Sequence, residues 1–77
     1  MGETGAVPQF VYVLEVVRDG GRIRAHFAQT AGAAQRAARK YVGRGVWVLT
    51  PDPATPARLL DGDTELARVV REVVPRT

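Results

Sequence analysis

Hydrophobic and polar residues follow strand-like patterns in two early segments of the chain. Residues 10–18 are rich in β-branched and aromatic side chains, and residues 22–27 alternate polar and apolar side chains. Both patterns are typical of β-strands. Asp19-Gly20-Gly21 lies between them and favours a tight turn, because glycine readily adopts positive φ. The sequence therefore predicts a β-hairpin with a two-residue loop at Asp19-Gly20 or at Gly20-Gly21.

Either loop divides the hairpin residues between the same two faces, whereas a three-residue loop would mix them and break a buried side. The face expected to be buried holds Tyr12, Leu14, Val16, Ile23, Ala25 and Phe27. The outer face holds Val11, Val13, Glu15, Val17, Arg22, Arg24 and His26. The two registers differ in one pair, since Glu15 lies opposite Arg24 in one and opposite His26 in the other.

The middle of the chain predicts a helix followed by a strand. Thr30 is a suitable N-cap, and the helix is expected over residues 31–42, ending at Gly43. Its apolar stripe has helical spacing and comprises Ala34, Ala37, Ala38 and Tyr41. Gly43-Arg44-Gly45 is interpreted as the helix stop and the entry to a third strand over residues 46–50. A helical crossover of this length favours parallel pairing of that strand with the hairpin.

The last third of the chain predicts a stiff loop and a second helix. Proline restricts the backbone in residues 51–56, and residues 57–60 form either a short fourth strand or an irregular tether. Asp61 or Asp63 caps a helix over about residues 64–74, which Pro75 ends. Its apolar stripe comprises Leu66, Val69, Val70 and Val73. The expected fold is a single α+β domain of order ββαβ(β)α over residues 9–77, after a flexible leader at residues 1–8.

Composition removes several kinds of chemistry. The 77 residues include no Cys, no Ser and one His, so disulfides, thiolate zinc sites and Ser or Cys nucleophiles are excluded. His26 has no second His or Cys with which to form a metal site. The Asp61–Glu65 carboxylates have calcium-loop spacing, but Leu66 stands where the turn glycine is needed. We therefore expect no catalytic residue, no cofactor, no metal and no small-molecule substrate.

Two further compositional features bear on location. No apolar run approaches the roughly 20 residues of a membrane span, which predicts no membrane partner. A small domain without cysteine suits the cytoplasm better than an oxidising compartment. The sequence therefore predicts a cytoplasmic protein.

Positive charge is concentrated in residues 18–44, which carry seven basic residues and one acid, a net charge of +6 within a chain of +3. A block of this kind is typical of proteins with a polyanionic partner. Helix and strand periodicity nevertheless divides it between the hairpin and the exposed face of the helix. The candidate nucleic-acid-binding residues are Arg22, Arg24, Arg36, Arg39, Lys40 and Arg44.

Valines on the outer face of the hairpin give a second hypothesis, because the free side of an antiparallel sheet is normally polar. The C-terminal helix, a second copy of the chain, or a ligand or nucleic acid would each cover them. The candidate interface residues are Val11, Val13, Val17 and Trp47. The preferred interpretation is a small non-catalytic binding or regulatory protein that contacts a protein partner, or itself as a homodimer, through this face. The alternative is a nucleic-acid-binding accessory protein that uses the basic residues.

Overall fold

The protein is described by a computed structural model that covers residues 9–74. Five strands form one antiparallel sheet in the order β2-β1-β5-β4-β3. The elements are β1 (Gln9–Arg18), β2 (Gly21–Ala28), α1 (Ala31–Ala37), a 3-10 turn (Ala38–Lys40), β3 (Val46–Leu49), β4 (Ala57–Asp61) and β5 (Thr64–Val74). The leader predicted for residues 1–8 lies outside the described residues, as do residues 75–77.

The predicted α+β fold with a C-terminal helix is wrong, because residues 64–74 form strand β5 in the middle of the sheet. β5 contains several β-branched valines, which suit a strand. A bulge leaves Leu66 without a directly opposite residue on β4. Val69 and Val70 pair with Leu14 and Val13 on opposite faces of the sheet, so apolar residues on both faces of β5 imitated a helical stripe. Asp61 and Asp63 do not cap a helix. Asp61 is the last residue of β4, and Asp63 lies in the two-residue β4–β5 turn beside Gly62, which has a φ of 61°.

The predicted β1–β2 hairpin is confirmed near its turn. Asp19 and Gly20 form the loop with φ values of 51° and 81°, as a type I′ turn requires. Glu15 lies opposite Arg24, which is one of the two expected registers. A bulge at Ala25 then shifts the pairing by one residue.

This bulge reverses the predicted placement of the residues that follow it. Phe27 lies opposite Val13, on the outer face, and His26 lies opposite Leu14, on the face that was expected to be buried. Both placements therefore differ from the prediction. A bulge adds one residue to one strand, which strict alternation along the sequence cannot anticipate.

The predicted Thr30 cap is confirmed, since the Ala33 N–H donates to Thr30 Oγ1 at 3.1 Å. The α-helix is shorter than the expected residues 31–42. It ends at Ala37 and continues as the 3-10 turn, after which the N–H groups of Tyr41 and Val42 both donate to the Ala38 carbonyl. The chain then runs without regular structure to β3.

The core lies between α1 and one face of the sheet, called here the inner face; the opposite side is the outer face. Small alanines on α1 let the helix approach the strands closely. The core comprises Leu14, Val16, Ala34, Ala37, Ala38, Ala57, Leu59, Ala67 and Val69. The predicted parallel pairing of β3 is wrong, because β3 pairs antiparallel with β4 at the edge of the sheet. No helix within residues 9–74 combines the length and apolar character needed to cross a bilayer.

Candidate functional site

Arginine–glutamate pairs connect the strands on the outer face. Arg24 on β2 reaches over β1 and donates through Nη1 and Nη2 to both Glu72 carboxylate oxygens on β5, each at 2.6 Å. Arg68 donates to Glu15 at 2.8 Å. Glu65 accepts from Arg22 at 2.6 Å and from Arg58 at 2.7 Å. Together these bonds join four neighbouring strands, β2, β1, β5 and β4.

The chain's own side chains cover the centre of the outer face. Val13 is 0% exposed, although no described helix lies on this side. It lies between Phe27 on β2 and Val70 on β5. The Arg24 guanidinium lies 5.5 Å from the Phe27 ring centroid, so the Arg24 stem and this ring shield the strand beneath them. A cover from outside is therefore unnecessary at Val13.

The structure does not gather the predicted interface residues on one surface. Val11 and Val17 share the outer face with Val13 and are half-buried. Trp47 lies opposite Leu59 on the inner face and packs against the core.

The arginines hold the pKa of two glutamates on the outer face below the ordinary value of 4.5. For Glu65, burial raises the pKa, but hydrogen bonds from Arg58 and Arg22 and the charges of both arginines outweigh it and lower the pKa. For Glu72, the hydrogen bonds from Arg24 lower the pKa. A carboxyl whose pKa is depressed by folding stabilises the folded state above its unfolded pKa and loses that contribution as pH falls through the folded pKa.

We therefore expect stability to fall as the pH is lowered through and below about 4.5, because the unfolded chain takes up protons at these two glutamates before the folded protein does. The Glu65→Gln variant should be less stable than the parent at pH 7 by about one kcal/mol or less, as expected for a partly exposed site. It should also lose less stability than the parent between pH 5 and pH 3. Urea unfolding at several pH values measures this. Asp63→Asn, in the exposed β4–β5 turn, is the control and should follow the parent curve. Equal pH dependence in parent and Glu65→Gln would contradict the assignment.

The candidate nucleic-acid-binding residues separate into two groups. Arg22 and Arg24 are held in the outer-face pairs. Arg36, Arg39 and Lys40 are exposed on α1 and the 3-10 turn, and no salt bridge within residues 9–74 involves them. Arg44 makes an exposed pair with Asp61 at 3.2 Å.

Two adjoining cavities flank the irregular segment around Val42, Gly43 and Arg44, and we call them together the basic groove. The first has a volume of about 480 Å³ and is lined in part by Arg39 and Trp47. The second has a volume of about 470 Å³ and is lined in part by Arg18 and Tyr41. Sequence reasoning placed Tyr41 in the core and did not connect Arg18 with the helix end. The available signal was Gly43-Arg44-Gly45, which was interpreted as the helix stop and the entry to the third strand.

β3 is an open edge of the sheet and carries no charged side chain. Val46 is 69% exposed and Leu49 is 75% exposed. The Thr50 N–H donates to the Pro56 carbonyl at 3.0 Å, in continuation of the β3–β4 register. Because backbone groups alternate in direction along a strand, the N–H and C=O of Trp47 and Leu49 point away from β4, toward the open edge. Sequence reasoning missed this open edge, because it predicted that the third strand pairs in parallel with the hairpin.

Two exposed surfaces within residues 9–74 thus have the features of binding sites. The β3 edge offers apolar side chains and free backbone donors and acceptors. The basic groove offers arginines beside aromatic rings. In comparisons with known proteins, no protein-family model, no curated protein and no solved structure matches the chain.

Proposed function

We propose that this chain is a non-catalytic protein-interaction module that self-associates by pairing its β3 edge with the β3 edge of a second copy. The observation that carries the proposal is the exposed, uncharged edge strand β3, whose outward backbone groups at Trp47 and Leu49 face no other strand of residues 9–74. The proposal moves the expected homodimer contact from the outer face to the sheet edge, because arginine side chains already shield the central valine. A cytoplasmic location, favoured by the lack of cysteine, is part of the same proposal.

The two edges of the sheet differ in a way that supports this choice. Natural proteins protect edge strands with charges and bulges, since a bare edge is a template for another strand. β2 has both devices, in Arg22 and Arg24 and in the bulge at Ala25. β3 has neither, and its exposed side chains are Val46, Val48 and Leu49. The contrast favours β3 as the edge that a partner strand joins.

Symmetry restricts how two β3 strands pair. A twofold axis perpendicular to the sheet makes them antiparallel and keeps inner face beside inner face. A register with Trp47 opposite Leu49 of the second copy satisfies this condition and places Val48 opposite Val48. Trp47 and Leu49 then form hydrogen-bonded pairs in which each N–H meets a carbonyl of the other copy. The exposed Leu49 side chain gains a neighbour on the inner face.

A four-residue strand gives a small interface, so we expect a dimer with a dissociation constant in the micromolar range. Leu49→Pro should abolish it, because proline removes an N–H that points to the open edge and leaves β3–β4 hydrogen bonds in place. Sedimentation velocity over a concentration series measures the dimer, and circular dichroism checks that the variant is folded.

Leu49→Ala is the matched control, since it removes the same exposed side chain but keeps the N–H. It should weaken the dimer much less than Leu49→Pro. A parent protein that stays monomeric at about 1 mM would refute self-association. Its dimer dissociation constant would then lie above about 1 mM, which is weaker than a specific complex requires. A folded Leu49→Pro variant that dimerises like the parent would show that β3 is not the contact.

A further inference from the structure

We propose that the basic groove binds single-stranded nucleic acid. The groove lies between the end of the helical segment and the sheet, and it is complete within one copy of the chain. Its lining combines arginine side chains with two aromatic rings. The inference does not depend on pairing of the β3 edge.

The charges around the groove favour a polyanion. Arg39 and Arg44 line the first cavity, and Arg18 lines the second, where its guanidinium donates to the Tyr41 carbonyl at 2.8 Å. Arg36 and Lys40 extend the positive surface along the exposed side of the helical segment. Phosphate groups therefore meet several cations within one continuous region.

The acids near the groove do little to oppose an anion. Glu65 lines the second cavity, but two arginines already neutralise it at 2.6 and 2.7 Å. Asp61 pairs with Arg44 in an exposed geometry at 3.2 Å. Exposed ion pairs contribute little free energy, so a phosphate can replace this carboxylate at small cost.

Aromatic rings in each cavity favour unpaired bases. Trp47 lines the first cavity and is half-buried against the core, which holds the indole in place. Tyr41 lines the second, and its hydroxyl donates to the Ala25 carbonyl at 3.0 Å, which fixes the ring. Proteins that bind single strands combine a cationic groove with aromatic surfaces on which bases stack.

The size of the cavities also favours a single strand over a duplex. Both cavities are open clefts, and their volumes of about 480 and 470 Å³ lie in the range of small-ligand sites. An unpaired nucleotide can enter such a space, whereas the paired bases of a duplex cannot leave the stack to do so. Gly43 lines both cavities and has open space where a Cβ would lie, so a sugar-phosphate backbone can pass close to it.

Trp47 is the only tryptophan in the chain, so its fluorescence reports directly on the first cavity. The experiment titrates the full chain with an oligothymidylate of about 20 nucleotides and follows both tryptophan quenching and fluorescence anisotropy of the labelled strand at ~50 mM salt. The test variant is the double substitution Arg39→Gln and Arg44→Gln. Arg71→Gln, at the far end of β5 over the Phe10 ring, is the charge control.

We expect binding with quenching in the parent, and a loss of about tenfold in affinity for each groove arginine removed, with the salt slope reduced by about 0.7 per arginine. Arg71→Gln should bind within a few-fold of the parent. The proposal is overturned if no strand binds at low salt, if Arg71→Gln alone lowers affinity by about tenfold or more, or if a duplex binds more tightly than the single strand. Leu49→Pro should retain binding, which separates this inference from the proposed dimer.

Discussion

Replacing Gly45 by alanine is expected to destabilise the domain by about 2–4 kcal/mol, combining left-handed backbone strain with overpacking. Gly45 has a φ of 102°, a conformation that side-chain-bearing residues rarely adopt. A Cβ there would lie 3.0 Å from Leu59 Cδ1 and 3.1 Å from the Leu60 carbonyl oxygen. The carbonyl belongs to paired backbone of β4 and cannot move without disturbing the β3–β4 ladder.

Two other glycines separate the causes of this effect. Gly20→Ala has only the backbone cost, since its φ is 81° but nothing lies within 4 Å of the new Cβ, and we expect about 1–2 kcal/mol. Gly43→Ala has neither cost and should be neutral within about 0.5 kcal/mol. Urea unfolding of the three variants gives the comparison. A Gly45→Ala loss no larger than that of Gly20→Ala would show that contact with Leu59 and Leu60 is unimportant.

Leu14→Ala should be the second severe substitution, with an expected loss of about 3–4 kcal/mol from lost burial and the cavity left behind. Leu14 is 0% exposed and is among the largest fully buried side chains of the described residues. It lies in β1 between β2 and β5, under the helix. A chain of 77 residues is expected to have a total stability of about 4–12 kcal/mol, so this one change removes a large part of it.

Leu49→Ala makes the same chemical change at an exposed site and is the natural comparison. It should alter the monomer's stability by less than about 0.5 kcal/mol. Both variants are measured by urea unfolding under conditions where the protein is monomeric. Comparable losses in the two variants would mean that the core does not lie between α1 and the inner face.

The hairpin shows how far sequence reasoning reaches for this chain. Local backbone preference predicted a two-residue loop at Asp19-Gly20 or Gly20-Gly21 and left two registers open, and the structure has the one that pairs Glu15 with Arg24. The same holds for the Thr30 cap and for a strand starting at Val46. The bulge at Ala25 was not accessible, because the alternation of polar and apolar residues in β2 continues through it and does not mark the inserted residue.

β5 shows where local patterns failed. Leu66, Val69, Val70 and Val73 fit helical spacing, and carboxylates at the segment's start fit a helix dipole. The same segment contains a two-residue hairpin signal at Gly62-Asp63 and several β-branched residues. Pairing with β1 makes residues 64–74 a strand and not a helix. A local sequence pattern does not show which distant segment a strand will pair with.

The candidate sites could be predicted only in part, because local patterns identify residue types but not the distant residues that they meet. Sequence reasoning named Arg39 and Arg44 as candidate nucleic-acid-binding residues and Trp47 as a candidate protein-interface residue, and all three line the first cavity of the groove. It did not foresee that Arg22 and Arg24 would be bound to glutamates of β5, because that strand was expected to be a helix. One wrong element therefore changed the interpretation of residues more than 40 positions away.

The position of β5 between β1 and β4 has a consequence for biosynthesis. Of the described strands, β5 leaves the ribosome last, yet it joins the β1–β2 hairpin to the β3–β4 pair. Until it emerges, the nascent chain exposes two separate half-sheets, each with unpaired edges that are prone to aggregation. The sheet is therefore expected to close only after translation has passed Val74 and β5 has emerged from the ribosome.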